Sequence, residues 1–261
     1  HFRELVANNI KSIGEDRDFL GLSNIWVRES IRHGYAQNFT WLGRPVIQVP
    51  QDLYAIQEII WSCRPDLIIE TGIAHGGSLI TSASMLAMLD YCDAVVEGKV
   101  LDPKASLRKV VGVDIDIRPH NRERIDAPQD PLLQGSSVAP EILEQIAKHA
   151  EGYKRVMVFL DSNHTHEHVL EELELYAPFV TKGSYCVVWD TGVEDLPDEM
   201  CNDRPWGKGD NPKTAVWEYM KRLSHEGRTG RDGEKLILEI DHQIEHKIAI
   251  TASPDGFLKR L

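Results

Sequence analysis

The stretch that decides the fold runs Pro65-Asp66-Leu67-Ile68-Ile69-Glu70-Thr71-Gly72-Ile73-Ala74-His75-Gly76-Gly77-Ser78. Leu67, Ile68 and Ile69 form an apolar run without alternation, the pattern of a strand buried on both faces. Glu70 closes the run, and Gly72, Gly76 and Gly77 let the chain turn sharply. Leu79, Ala83 and Leu86, with Ile80 and Ala87 beside them, then recur at helical spacing, and Ser78 is placed to take the helix's first free N–H groups. A strand, a glycine turn and a helix in that order make the ligand-binding corner of a doubly wound α/β sheet.

The glycine spacing selects the ligand. A dinucleotide site uses G-x-G-x-x-G, which seats a pyrophosphate on the helix N-terminus. Here the run is E-T-G-I-A-H-G-G-S, with an acid before the first glycine. A carboxylate there repels phosphate and accepts from a positively charged amino-acid group, which favours S-adenosylmethionine over a nicotinamide dinucleotide. Glu70, Gly72, His75, Gly76 and Ser78 are therefore the candidate contacts for its methionine end. A tight turn that binds nothing uses glycines as well.

Working outward, 261 residues suffice for one α/β domain with appendages. A net charge of −12 argues against a general nucleic-acid binder. No apolar run approaches a membrane span, and the start lacks a signal-peptide core. Because the sequence begins at His1, an upstream piece is expected. Cys63, Cys92, Cys186 and Cys201 form no C-x-x-C pair, which suits free thiols in a reducing cytoplasm.

Residues 1–50 read as a helical appendage or cap, with Val27, Ile31 and Tyr35 at helical spacing and a turn at Trp41-Leu42-Gly43-Arg44-Pro45. This arm is expected to serve subunit contacts in a homo-oligomer. Residues 51–261 read as the main domain, opened by a helix over 51–60 with Asp52 as its N-cap. Trp26, Trp41 and Tyr54 are candidates to line a substrate pocket, although aromatics near helices more often serve the core.

Lys109 to Asp116 is the second strand, and Asp114 at its carboxyl end stands where a ribose diol is gripped. Beyond a polar, proline-containing segment, Gln134-Gly135-Ser136-Ser137 offers Ser137 as a contact for the adenine edge. A helix over 141–149 precedes the strand Val156–Leu160, which ends in Asp161-Ser162-Asn163-His164. Tyr185–Trp189 is the next strand and ends in Asp190-Thr191. The polar loop from Gly192 to Asp210 has the length of a lid or substrate-binding segment. Asn211-Pro212 starts a helix, and Lys235–Ile240 with Lys247–Ala252 read as a closing antiparallel pair. The fold class expected is α/β, a Rossmann-like class I methyltransferase with a mostly parallel seven-stranded sheet, an antiparallel last strand and an N-terminal helical appendage.

E-T-G-I-A-H-G-G-S, V-V-G-V-D-I-D, D-S-N-H-T-H-E-H-V and V-V-W-D-T, in this order, resemble the family that groups cephalosporin hydroxylases with rhamnosyl O-methyltransferases. Q-V-P-Q-D-L-Y-A-I-Q-E-I-I upstream and N-P-K-T-A-V-W-E-Y downstream extend the resemblance over nearly the whole chain. It implies an S-adenosylmethionine-binding domain and, in many members, a divalent metal. The family often carries an acidic pair before the threonine, whereas this chain has Trp189 before Asp190.

Methyl transfer is an in-line displacement that needs an aligned nucleophile able to lose a proton. A Mg²⁺ ion (or similar divalent cation) on a sugar hydroxyl lowers its pKa and orients it, and such an ion takes oxygen ligands. Asp161 and Asp190 end neighbouring strands and are the candidate metal ligands, with Thr191 or a nearby residue completing the shell. Solvated helix caps are the plainer alternative. Asp161 also reaches the cofactor site, and His164 is the candidate general base. His164 and His168 stand at i, i+4, but H-E-x-x-H is absent, which disfavours zinc. The function expected is O-methylation of a sugar hydroxyl, on a small molecule or glycoside such as a rhamnosyl or other deoxysugar of a natural product. The alternatives are a hydroxylase-type member, which would need a two-His-one-carboxylate triad, or a non-catalytic S-adenosylmethionine-binding subunit.

Overall fold

A computed structural model describes residues 1–122 and 131–261, apart from the side chains of residues 120 and 122. Two helices open the chain, α1 (Phe2–Glu15) and α2 (Arg17–Arg32). A hairpin of β1 (Phe39–Trp41) and β2 (Arg44–Val46) follows, turning through Leu42 and Gly43 at φ +48° and +82°. Then come α3 (Pro50–Cys63), β3 (Leu67–Thr71), α4 (Gly77–Glu97), β4 (Lys109–Asp114), α5 (Pro119–Arg122), β5 (Leu132–Gln134), α6 (Pro140–Ala150), β6 (Val156–Leu160), α7 (His166–Tyr176) and β7 (Tyr185–Val188). The chain closes with α8 (Pro212–Glu226), β8 (Leu238–Ile240), α9 (His242–Ile248) and β9 (Phe257–Arg260).

Among the described residues the main sheet has seven strands in the order β5-β4-β3-β6-β7-β9-β8. The pairs from β5 through β7 are parallel, and β9 runs antiparallel to both β7 and β8. All five residues of β3 are buried, as its unbroken apolar run predicts. Leu67 and Ile69 face a core built with α6, α7 and α8, and Ile68 faces one built with α3 and α4. Truncating a side chain such as Ile68 to alanine would cost about 2–5 kcal/mol. The strand order reverses at β3, between β4 and β6, which opens a crevice at the carboxyl ends of these strands.

Several local expectations are corrected. The Lys247–Ala252 strand is absent: Asp241 caps α9 by accepting from Gln243 N–H, and Ile244 and Ile248 pack on the core at helical spacing. The antiparallel partner of β8 is β9, nine residues beyond α9's last residue at its first position. Asp52 is not the N-cap of α3, which starts at Pro50 behind Val49. Ser78 is not a cap either; Gly76 holds that position in α4, at φ +82°. The short edge strand β5 had no signal of its own, and part of the polar segment before it, 123–130, lies outside the described residues.

The helix at Asn211-Pro212 forms as expected and carries a full capping box: Asn211 accepts from Lys213 and Thr214 N–H, and Thr214 returns the bond. Helix α4, 21 residues long, is apolar enough by composition to cross a membrane. Its Leu79, Leu86 and Leu89 are instead buried against the sheet.

Candidate active site

The glycine turn is built by close approach. Gly72 stands at φ +83°, and a Cβ there would lie 1.9 Å from the Asp161 carbonyl oxygen. The parallel register explains the contact, since Thr71 pairs with Leu160 and Asp161 N–H donates to Thr71 O. Ala74 also sits at positive φ, +45°, which is unfavourable for a residue with a Cβ. Asp114 holds it there: Oδ2 accepts from Ile73 N–H (2.7 Å) and Ala74 N–H (3.1 Å) while Oδ1 accepts from Asp116 N–H (3.0 Å). A Cβ on Gly77 would lie 2.1 Å from Pro45 O, so the β1–β2 hairpin rests directly on this turn.

Glu70 lies beneath the turn on the α4 side, 1% exposed, and accepts from the Ser78 hydroxyl through Oε1. Its Oε2 has no hydrogen-bond partner among the described residues, and burial pushes its pKa up to about 7. Ser78 faces the crevice, whereas Glu70 does not line it.

Asp161, His164 and Asp190 converge from the ends of β6 and β7, with one ligand-type atom from each within 4.8 Å of the others. His164 Nε2 is 3.3 Å from Asp190 Oδ2, and Gln48 Nε2 is 3.5 Å from Asp161 Oδ2. Burial holds the Asp161 carboxyl well above the ordinary carboxylate range, and the Asp190, Glu70 and Glu172 carboxylates add to this. The two mutually repelling carboxylates make an oxygen donor pair that fits a hard divalent cation, and the imidazole stands beside them where it can take a proton. Trp189 points the other way, 4% exposed between Phe159 and Phe257. Thr191 is fully buried and donates to Pro254 O, so the third group facing the two acids is His164.

Two connected clefts flank this point, of ≈ 220 and ≈ 250 Å³, sharing Gly72, Ala74, Asp161 and Ser162. Each alone is below the ~300 Å³ at which ligand sites begin; joined, they pass it. The first adds His75, Ser78, His164 and Asp190, walled by Pro45, Val46, Ile47 and Gln48 of the hairpin segment. The second adds Asp114, Gly135, Ser136, Ser137 and His168. Ser137 Oγ and Ser162 Oγ lie 3.1 and 3.0 Å from His168 Nε2, and Ser162 donates to the buried Glu172. His166 is engaged by Thr214 and Glu218, so a single imidazole joins the two acids among the described residues.

Gln48, Ser162 and Trp206 are site residues to which motif reading gave no role, and His168, weighed only as a zinc partner of His164, joins them. Gln48 sits inside Q-V-P-Q-D-L-Y, a segment noted only for resemblance. Trp206, from the 192–210 loop, meets the His164 ring edge-on at 4.7 Å. The aromatics considered for the pocket lie elsewhere: Trp26 packs on Tyr35, Trp41 donates to Ser84, and Tyr54 is 65% exposed.

A parallel sheet with one antiparallel strand, a glycine turn and strand-end acids defines a class I S-adenosylmethionine-dependent methyltransferase. The family profile described as Rhamnosyl O-methyltransferase/CmcI matches residues 33–261, and the chain belongs to that family. It is 30% identical over 243 residues to a rhamnosyl O-methyltransferase of Mycobacterium leprae (strain TN), covering 90% of each chain. To the protein of the same description from Mycobacterium tuberculosis (strain ATCC 25618 / H37Rv) it is 28% identical over 244 residues, covering 90% of this chain and 85% of the relative. Among solved structures, CmcI with Mg and SAM superposes with TM-score 0.53 at 16% identity, covering 86% of this chain and 77% of that one.

Proposed function

We propose that this enzyme transfers the methyl group of S-adenosylmethionine to a hydroxyl of a sugar, on a rhamnosyl or related deoxysugar unit, with a divalent cation at Asp161 and Asp190. The convergence of Asp161, Asp190 and His164 beside the glycine turn carries the reading. The curated relatives described as rhamnosyl O-methyltransferases support the acceptor class.

When bound, S-adenosylmethionine supplies the electrophilic methyl group and a cation such as Mg²⁺ supplies charge that acidifies and orients a hydroxyl. The chain's own groups do the rest. Asp114 already accepts three backbone N–H bonds, and an ionised carboxylate has about four acceptor sites. One site is left for a ribose hydroxyl. His75 and Ser78 border the cleft toward the methionine end, above Gly72 and Gly76, and the buried Glu70 carboxyl fixes the Ser78 hydroxyl. Ser137 borders the adenine side with His168. Asp161 and Asp190 would hold the cation, which would supply the charge that acidifies the acceptor hydroxyl. His164, oriented by Asp190 and by the edge of Trp206, takes the hydroxyl proton as the displacement proceeds in line.

Residues 1–50 act as a cap: the hairpin walls the acceptor side, while α1 and α2 leave Phe2, Leu5, Leu22 and Ile25 exposed for a second copy of the chain. The unpaired thiols suit a cytoplasmic setting.

The test is methyl transfer from labelled S-adenosylmethionine to rhamnoside acceptors, with calorimetric binding of S-adenosylhomocysteine alongside. Activity should vanish in EDTA and return with Mg²⁺. Full turnover in excess EDTA would remove the cation from the reaction, and tight cofactor binding with no transfer to any sugar would overturn the acceptor.

A further inference from the structure

Helix α9 and the turn before β9 bring together three donors that do not line the clefts above. His242 Nδ1 lies 3.3 Å from Glu245 Oε2 and 3.7 Å from Asp255 Oδ1, and the three donor atoms fall within 4.8 Å of one another. We infer that His242, Glu245 and Asp255 form a second cation site, suited to a transition-metal ion such as Zn²⁺.

Three features of the cluster support this. The first is geometry: four ligands at about 2.0–2.2 Å around a tetrahedral ion stand roughly 3.3–3.6 Å apart. The His242–Glu245 separation lies at that spacing, and the 3.7 Å from His242 to Asp255 lies just beyond it and is too long for a hydrogen bond. One Nδ1–H therefore cannot serve both acids, whereas an ion between them would.

The second is the way each carboxylate is anchored from outside. Trp217 Nε1–H donates to Asp255 Oδ2 at 2.9 Å, and Asp255 N–H donates to Glu245 Oε1 at 2.8 Å. Each acid thus has one oxygen pinned by a protein donor and the other turned to His242, the outer-shell arrangement that orients metal ligands. The third is charge. Glu245 and Asp255 are mostly buried and meet no lysine or arginine in an ion pair among the described residues, leaving one half-exposed imidazole against two acids. An imidazole in the set favours zinc-like ions over Mg²⁺.

An ion there would fasten α9 to the turn that leads into β9. Helix α9 also carries α1, because a Cβ on Gly14 would lie 2.2 Å from His246 Nδ1. The site would then staple the C-terminal strands and the N-terminal helix together.

The experiment is zinc binding to the untagged full chain. In crystals soaked with Zn²⁺, anomalous density is expected about 2 Å from His242 Nδ1. Titration calorimetry in saturating Mg²⁺ should lose one equivalent of Zn²⁺ in His242→Ala and in Asp255→Asn, and keep it in Asp161→Asn. Trp217→Phe should weaken that equivalent by about 10–100-fold. Mg²⁺-supported methyl transfer should be unchanged in His242→Ala. Zinc density confined to the Asp161 cleft, or a His242→Ala titration identical to wild type, would overturn the proposal.

Discussion

Asp52 gives this protein a pH-dependent stability that a single substitution should remove. The side chain is fully buried at the start of α3, where Oδ2 accepts from Ala252 N–H at 2.9 Å and Oδ1 has no hydrogen-bond partner among the described residues. Burial is the main cause that pushes its pKa up to about 7, and the Asp190 and Glu245 carboxylates push in the same direction. In the unfolded chain the group titrates near 3.9. A carboxyl whose folded pKa is raised stabilises the fold below its unfolded pKa and loses that contribution as pH rises through the folded value. About three units at 1.36 kcal/mol each gives on the order of 4 kcal/mol lost between about pH 4 and pH 8.

Asp52→Asn keeps an oxygen for Ala252 N–H and removes the titration. Urea unfolding in EDTA, which keeps cations away from Asp190, should show the variant close to wild type at pH 5. At pH 8 it should be more stable by a few kcal/mol, or roughly 5–10 °C in Tm for a chain of this size. Glu70, also raised to about 7, keeps a residual slope in the variant, and adding Glu70→Gln should flatten it. Parallel pH curves for wild type and Asp52→Asn would refute the assignment of this slope to a buried, ionising Asp52.

The remaining predictions concern the site. His164→Gln should lower kcat by about 10²–10⁴-fold with S-adenosylhomocysteine affinity retained, as single-turnover kinetics and calorimetry would show. Asp161→Asn should abolish Mg²⁺-supported turnover; in wild type, because protons compete at the raised Asp161 carboxyl, Mg²⁺ affinity should fall as pH is lowered. Gly72→Ala should cost ~1–2 kcal/mol for the left-handed backbone alone. It should also weaken Mg²⁺ binding, because the added methyl meets the Asp161 carbonyl. Trp206→Ala should raise KM for the sugar acceptor and leave S-adenosylhomocysteine affinity unchanged; equal losses in both would make Trp206 a general support of the cleft.

The central parallel strands were legible because each carries an unbroken apolar run that leads to an acid or a glycine at its carboxyl end. Burial on both faces leaves few other assignments for L-I-I or V-M-V-F-L. The chain's end was harder to read. K-I-A-I-T-A has the composition of a strand, but Asp241 caps a helix just before it, and Ala249 then leaves that helix at φ +57°. A three-residue edge strand such as β5 has too few residues to display a period at all. Asp52 misled for a related reason: a short acid near a helix start reads as a cap, yet it bonds to a residue 200 positions away.

At the site, motif spacing found the groups that belong to strand ends, because the sheet register brings Gly72, Asp114, Asp161 and Asp190 to one edge. It assigned Glu70 to a charged ligand, although strand alternation turns that side chain toward α4, where the Ser78 hydroxyl meets it. What spacing cannot express is the wall contributed from elsewhere. Gln48 reaches Asp161 only because the hairpin rests on Gly77, and that contact exists only because residue 77 has no Cβ. A larger residue at 77 would lift the hairpin and take Gln48 from Asp161 without altering any of the strand-end acids. The N-terminal segment is thus tied to the chemistry through a glycine that its own sequence does not contain.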